Sequence, residues 1–204
     1  MSTRHLFLRF ERLLLLALAP AVLGVGAGLA RAEPVSVIVR VPAGTPSPAA
    51  LPELLAQWRQ AGEVARVLFL TQGRPEKEQP GRRAQFESLA VLEFASEPAG
   101  AAWEQHAAPA LPPGLTVRRA VVLAHGELAP RDPGRSVFVV NTYRPLVPAA
   151  RFADYVRGYV QPLYEAMQAT KLLVGYTAYL EQGPTGEVDA LNVLEYRDAA
   201  AFVE

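Results

Sequence analysis

The sequence predicts an α+β protein made of two tandem units, each with the element order β-α-β-β-α-β. A hexapeptide, Leu89-Ala90-Val91-Leu92-Glu93-Phe94, returns about a hundred residues later as Leu191-Asn192-Val193-Leu194-Glu195-Tyr196. A strand-like run at 36–40 is echoed at 136–140. Around these repeats the spacing of apolar residues changes between the period of a strand and the period of a helix. We therefore expect one structural unit that is repeated once.

The first 32 residues have the character of a secretory signal peptide. Arg4, Arg9 and Arg12 precede a leucine-rich apolar run, and the segment ends in the small-x-small sequence Ala30-Arg31-Ala32. This pattern favours cleavage between Ala32 and Glu33 and predicts a periplasmic or secreted protein. The alternative is a retained membrane anchor, because the stretch from Leu13 to Ala30 is about long enough to span a bilayer.

Composition excludes several classes of function. Residues 33–204 hold 16 basic and 19 acidic side chains, a formal net charge of −3, so the sequence lacks the basic character of a nucleic-acid-binding domain. The chain has no cysteine, which excludes thiol nucleophiles and cysteine-ligated metals. Residues 33–204 contain no nucleophile-elbow, phosphate-loop or zinc-binding signature.

The first unit is predicted to cover residues 33–128. β-Branched residues at 35–41 favour a strand, and the helical spacing of Leu51, Leu54, Leu55 and Trp58 favours a helix that Gly62 ends. The remaining elements follow in order: a strand at 64–71, an exposed loop at 72–83, a strand at 85–94, a short helix opened by Ser96, and a strand at 115–123.

A linker at 129–135 leads to the second unit, residues 136–204. Its predicted elements are a strand at 136–140, a helix at 149–169 that Pro162 kinks or divides, strands at 172–180 and 188–196 joined by a turn, and a short helix from 199. The second unit lacks a counterpart of the last strand. Either the sequence is shorter than the natural chain or the unit is incomplete by design, and the first interpretation is favoured.

The order β-α-β-β-α-β is that of ferredoxin-like units. Two such units in tandem resemble the dimeric α/β-barrel superfamily, which includes EthD-like proteins, muconolactone isomerases, antibiotic-biosynthesis monooxygenases and haem-degrading enzymes. The resemblance covers residues 33–204 and rests on element order and the repeated hexapeptide. It implies antiparallel sheets that pack face to face. No catalytic signature of these proteins matches residue by residue, so no active site is carried over.

All seven tyrosines lie between Tyr143 and Tyr196. A tyrosine side chain has a wide apolar ring and a polar tip, which suits a cavity for an aromatic ligand. Tyr176 and Tyr179 are three residues apart on a predicted strand and so point to opposite faces. Tyr155 and Tyr159 are four residues apart on a predicted helix and so share one face. The predicted ligand-binding tyrosines are Tyr143, Tyr155, Tyr159, Tyr176 and Tyr179. The alternative is that they fill a core.

Three further residues are candidates for the site. Asn141 and Arg144 end the first strand of the second unit and are predicted either to orient a ligand oxygen or to face solvent. His106 is predicted either as a base or axial haem ligand, or as a surface histidine of its helix. His125 is predicted to be a turn residue. The scattered histidines and the lack of paired carboxylates predict no metal site, and no cofactor other than haem is considered.

The hexapeptide repeat places Glu93 and Glu195 at equivalent positions of equivalent strands. Alternation leaves open which face they occupy, and solvated, outward-facing side chains are favoured.

Together these features predict an exported protein that binds, or transforms without a cofactor, an aromatic or apolar small molecule in a cavity between the two sheets. The alternatives are a non-catalytic interaction protein whose barrel is filled by its own side chains, and a haem-binding protein. The expected partner is a small molecule, with no nucleic acid and no membrane after signal cleavage. The sequence does not determine the oligomeric state.

Overall fold

The structure is a computed structural model that describes residues 35–72, 86–128, 132, 134–183 and 185–203. The strands are β1 (Val35–Pro42), β2 (Arg66–Thr71), β3 (Phe86–Phe94), β4 (Thr116–Glu127), β5 (Val137–Tyr143), β6 (Leu173–Gln182) and β7 (Val188–Tyr196). The helices are α1 (Leu51–Gln60), α2 (Glu97–His106), α3 (Ala149–Tyr155), α4 (Gln161–Ala169) and α5 (Ala199–Val203).

The seven strands form one antiparallel sheet in the order β2-β3-β1-β4-β6-β7-β5. β4 of the first predicted unit pairs with β6 of the second, so the two halves share a continuous sheet. The sheet is curled, because side chains of both edge strands, β2 and β5, pack into one hydrophobic cluster. The α+β class with an antiparallel sheet is confirmed. The sheet of the first half joins that of the second edge to edge.

Three hydrophobic clusters hold this sheet together. The first packs Trp58 of α1 and Trp103 of α2 against the outer face of β1 and β3. The second fills the inside of the curl with residues from all seven strands, including Ile38, Leu89 and Leu191, which are fully buried. The third lies under α3 and α4, on the outer face of β6 and β7. Burying apolar surface on both faces is the main term that stabilises a sheet of this kind.

The long helix predicted at 149–169 is interrupted. α3 ends at Tyr155, five residues from Val156 to Val160 form a wider, π-helical turn, and α4 continues from Gln161. Pro162 occupies the first turn of α4, where its missing N–H costs least. The prediction that Pro162 divides this helix is consistent with a break that directly precedes it.

Two β-bulges interrupt the pairing of β6 with its neighbours. The pairing of β4 with β6 shifts between Val122 and Ala124, and the pairing of β6 with β7 shifts between Leu173 and Gly175. A bulge adds one residue and reverses which face the following side chains occupy. β4 is also longer than predicted and ends at Glu127. The prediction that His125 lies in a turn is therefore wrong: His125 is a strand residue.

The predicted signal peptide lies outside the described residues, as do positions 73–83 of the predicted loop and most of the predicted linker. In the part of the chain that the structure describes, no helix has the length and apolar character needed to cross a membrane.

Candidate functional site

A cleft opens at the end of the curl where β3, β4 and β7 finish and β2, β5 and β6 begin. Six of the seven strands contribute residues to it. Its enclosed space is about 30 Å³, enough for a few atoms of a ligand and too little for a whole aromatic molecule. The polar side chains that line it are Arg66, Glu93, His125, Glu127, Thr177, Tyr179 and Glu195.

His125 owes its place in this cleft to the bulge in β4. Before the bulge, Ala120 and Val122 face the inside of the curl, whereas after it Ala124 faces the helices and His125 faces inward. His125 lies directly opposite Thr177 of β6, and its Nδ1 is 2.9 Å from the Thr177 hydroxyl oxygen. A hydrogen bond at Nδ1 orients the ring and leaves Nε2 available to accept a proton from a ligand. Nε2 lies 3.7 Å from the Glu127 carboxylate.

Arg66 brings a permanent positive charge to the same cleft. Its guanidinium lies 3.5 Å from the Glu127 carboxylate and 3.9 Å from that of Glu93. All three side chains are about a third or more exposed, so water screens these ion pairs and they add little to stability. An exposed guanidinium held at the mouth of a cleft can bind an anionic ligand group.

Both repeated glutamates face the inside of the curl. Glu93 follows Leu89 and Val91 on the inner face of β3, and Glu195 occupies the matching place on β7. Glu195 is almost fully buried and accepts a hydrogen bond of 2.7 Å from the Ser136 hydroxyl. The prediction that these glutamates point outward is wrong. They lie on the side of the sheet that the curl encloses, where both line the cleft.

Tyr179 is the candidate tyrosine that faces the inside of the curl, where it is 2% exposed. Burial is the main reason that its pKa lies above the usual value for tyrosine, and the nearby Glu93 carboxylate raises the pKa further. Thr177 and Arg66 oppose this shift to a smaller extent. Tyr179 therefore keeps its hydroxyl proton at neutral pH and can donate a hydrogen bond.

Tyr176 lies on the other face of β6, as predicted from its spacing to Tyr179. Its ring packs under α4 beside the ring of Tyr164, with centroids 5.3 Å apart, and its edge borders the cleft. Burial raises the pKa of Tyr176, with a further contribution from the Glu165 carboxylate. Tyr164 is not among the residues that line the cleft, and its hydroxyl oxygen accepts a hydrogen bond from the side-chain amide of Asn192.

The other candidate residues lie away from the cleft lining. Tyr155 and Tyr159 stack on the exposed side of the long helix, with ring centroids 5.4 Å apart, and so share a face as predicted. Tyr143 is half exposed at the end of β5. Asn141 lies opposite Asn192 in the pairing of β5 with β7.

Two charged or titratable candidates are also on the surface. Arg144 is exposed and lies 3.4 Å from Asp189. His106 is exposed at the last turn of α2, a helix that packs on the outer face of the sheet. Neither residue is part of the cleft lining.

Sequence reasoning therefore missed most of the polar cleft residues. Arg66, His125, Glu127 and Thr177 come from three different strands, and no local pattern connects them. The parity of the hexapeptide offered one signal, because Glu93 shares the inner face with Leu89 and Val91. Within the described ranges, no group of three histidine, cysteine or acidic side chains is placed to hold a metal ion.

Comparison with known proteins supports the fold alone. No protein-family model matches the sequence, and no curated protein matches it. A solved structure from Fusobacterium nucleatum, described as a "putative monooxygenase", superimposes with a TM-score of 0.52 and 14% identity over 84% of this chain and 79% of that one. A second, from Lactobacillus acidophilus and with the same description, gives a TM-score of 0.49 and 10% identity over 84% and 80%. The curled antiparallel sheet is thus similar to that of the Fusobacterium protein.

Proposed function

We propose that the cleft binds the polar group of a small aromatic or otherwise apolar molecule, and that the protein transforms this molecule by proton transfer. The observation that carries the proposal is the convergence of His125, Arg66 and Tyr179 on one opening of a hydrophobic interior. A small number of convergent polar groups at the mouth of an apolar site is typical of ligand-binding sites.

The shape of the cleft suggests how such a molecule lies. Leu68, Phe138 and Val193 form its apolar wall, and Leu68 and Phe138 are only partly buried. The middle of the curl is filled by the second hydrophobic cluster, so the molecule's body extends from the cleft over this wall toward solvent. Its polar group then reaches the side chains inside.

The available side chains suit acid–base chemistry. His125, with Nδ1 fixed by Thr177, acts as the base that accepts a proton from the ligand. Arg66 stabilises the negative charge that the ligand then carries, and the protonated Tyr179 hydroxyl donates a hydrogen bond to it. Because the Fusobacterium neighbour is described as a "putative monooxygenase", we extend the proposal to a reaction of the resulting anion with O2. In this step a CH2 group of the substrate becomes C=O, one oxygen atom of O2 forms the new carbonyl and the other leaves as water with the two hydrogens, so the substrate itself supplies the electrons.

A ligand screen tests the binding step. The protein is mixed with a panel of aromatic compounds that each carry an acidic hydroxyl or an enolisable carbonyl, and thermal unfolding is recorded. We expect at least one compound to raise Tm, His125→Ala and Arg66→Ala to reduce that rise, and His106→Ala to leave it unchanged. A rise that survives both cleft substitutions would overturn the assignment of the site.

Oxygen uptake tests the chemical step. With a compound that binds, an oxygen electrode should record consumption that depends on protein concentration and falls by about 100-fold or more in His125→Ala, the size typical of losing a general base. Binding without any turnover would limit the function to ligand binding.

A second candidate function is that of a non-catalytic interaction protein. The observation that favours it is the filled interior: Ile38, Val91 and Leu191 on three strands are each at most 1% exposed. In that case the cleft residues serve stability only, and no compound in the panel raises Tm.

Haem binding through His106 is tested by titration with hemin, which should give a Soret band that His106→Ala removes.

The finer architecture and the location of the protein are part of this proposal. We place two ferredoxin-like units in the sheet, because the order β2-β3-β1 recurs as β6-β7-β5. We also propose export through cleavage after Ala32. Mass spectrometry of the protein made in a secreting host should then find an N-terminus at Glu33, and an intact segment 1–32 would contradict it.

A further inference from the structure

One carboxylate oxygen of the cleft lies between Arg66 and His125. Oε2 of Glu127 is 3.5 Å from a guanidinium nitrogen of Arg66 and 3.7 Å from Nε2 of His125. Both distances are longer than an ordinary hydrogen bond, so neither neighbour holds this oxygen tightly. The same atom can therefore form a hydrogen bond with either partner after a small movement of its side chain.

The fold brings these three side chains together from strands that are not neighbours. Arg66 begins β2 and Glu127 ends β4, and β3 and β1 lie between those strands. β4 continues for six residues beyond Val121, the last of its residues that pairs with β1, and so carries both His125 and Glu127 to the cleft. Gly175 is the residue directly opposite Glu127 in β6, so no side chain stands directly opposite the carboxylate. Glu127 thus connects β4 to β2 across the mouth of the curl.

The other titratable groups of the cleft lining come from β3, β6 and β7: Glu93, Tyr179 and Glu195. Glu93 lies 3.9 Å from the guanidinium of Arg66, and Glu195 accepts the hydrogen bond of the Ser136 hydroxyl. Burial keeps Tyr179 protonated by raising its pKa. Thr177 of β6 occupies the other nitrogen of the His125 ring, Nδ1. Glu127 is thus the carboxylate that the structure places beside Nε2.

We propose that Glu127 is a positioning residue that couples the proton on His125 to the charge of Arg66. While His125 is neutral, the carboxylate compensates the guanidinium. When Nε2 takes the ligand's proton, the carboxylate pairs with the imidazolium, and Arg66 is left to stabilise the ligand anion. The base and the anion-binding group thus become effective in the same step. This inference deepens the proposed function and rests on it, because His125 and Arg66 act here in the roles proposed for them.

A pH titration of the His125 ring by NMR, on the protein without ligand, tests the coupling. Glu127→Gln should lower the pH at which half of His125 is protonated, because the imidazolium loses its carboxylate partner. Arg66→Gln should raise this midpoint, because the carboxylate then loses its competing cation. His125 and Glu127 are both more than a third exposed, so the expected change is roughly 0.2–0.7 pH units, the size that an exposed ion pair gives.

Control variants separate this coupling from a general change of charge. Glu93→Gln removes a charge from the other carboxylate near Arg66 and should move the His125 midpoint less than Glu127→Gln does. The midpoint of His106 should be the same in every variant. In a Glu127→Gln background, Arg66→Gln should have a smaller effect than it has alone, because the carboxylate that connects the two groups is gone. Thermal unfolding checks that each variant is folded.

Two results would overturn the coupling. One is an unchanged His125 midpoint in Glu127→Gln, and the other is an effect of Arg66→Gln that is the same with and without the Glu127 carboxylate. Because this titration needs no ligand, its failure is distinct from a failure of the ligand screen. If the titration shows the coupling but no compound binds, the proposed function fails, and the role of Glu127 in the reaction fails with it.

The pH profile of turnover tests the role in the reaction. With a compound that the protein transforms, Glu127→Gln should move the acid side of the kcat/KM profile to lower pH and reduce its plateau, because His125 becomes a weaker base. A decrease by the same factor at every pH would instead indicate a purely structural role and overturn the proposal.

Discussion

The interior ion pair between Arg40 and Glu181 gives the sharpest test of the curled sheet. Arg40 lies on β1 and Glu181 on β6, 141 positions apart in sequence and with β4 between their strands. The guanidinium donates two hydrogen bonds to the carboxylate, and the two side chains are 15% and 0% exposed. Only a sheet that curves around its inner face brings these two groups together.

We predict that Glu181→Gln lowers the free energy of unfolding by about 3–5 kcal/mol, because it leaves the Arg40 charge buried with a neutral partner. For a domain of this size, each kcal/mol corresponds to a Tm change of about 2–4 °C, so the expected decrease is roughly 6–20 °C. Replacing both partners removes the unpaired charge. The double substitution Arg40→Met with Glu181→Leu should therefore recover most of the loss.

The measurement is a double-mutant cycle by urea denaturation, with Arg40→Met, Glu181→Leu and the double variant. The surface pair of Arg157 and Asp154, which is exposed on α3 and the turn after it, serves as a control and should give a coupling below about 1 kcal/mol. A coupling for Arg40 and Glu181 no larger than that of the control pair would refute the enclosed geometry.

Two other parts of the structure give further predictions. Tyr164→Phe should cost about 1–3 kcal/mol, measured by denaturation, because Asn192 loses the acceptor of its buried hydrogen bond. Burial raises the pKa of Tyr164 to about 12, above the unfolded value of 10, so its stabilising contribution is complete below pH 10 and is lost as pH rises toward 12. The destabilisation caused by Tyr164→Phe, measured by urea denaturation, should therefore shrink between pH 10 and pH 12. Gly126→Ala should destabilise by about 1–3 kcal/mol, because the new methyl group meets the ring of Tyr176, whereas Gly158→Ala on the helix has open space and should not destabilise.

Much of the secondary structure follows from local patterns. The repeated hexapeptide marks β3 and β7, since a nearly continuous apolar run is typical of a strand whose two faces are both buried. Ser96 caps α2 by accepting a hydrogen bond from the backbone N–H of Ala99, as its sequence context predicts. The joining of the two halves through β4 and β6 could not be predicted, because edge pairing between distant strands depends on backbone geometry that no short segment encodes.

The site was harder to predict for a related reason. A bulge adds a single residue, and nothing in the sequence around Leu123 distinguishes it from regular alternation. Without the bulge, His125 would face the helices. The bulge moves its side chain to the inner face of the sheet, and simple alternation of residues between the two faces does not predict this change. The concentration of tyrosines in the second half is visible in the sequence, but in the structure they divide among the interior of the curl, the helix-covered core and the surface.

The most direct test of the proposed function is an NMR titration of the histidine rings with a compound that raises Tm. His125 and His106 are the two histidines of the described residues, and their ring signals are assigned by substituting each in turn. The proposal predicts that the His125 signal shifts in a saturable manner while that of His106 does not move. A shift of His106 alone, or no shift of either ring at saturating compound, would contradict ligand binding in the cleft.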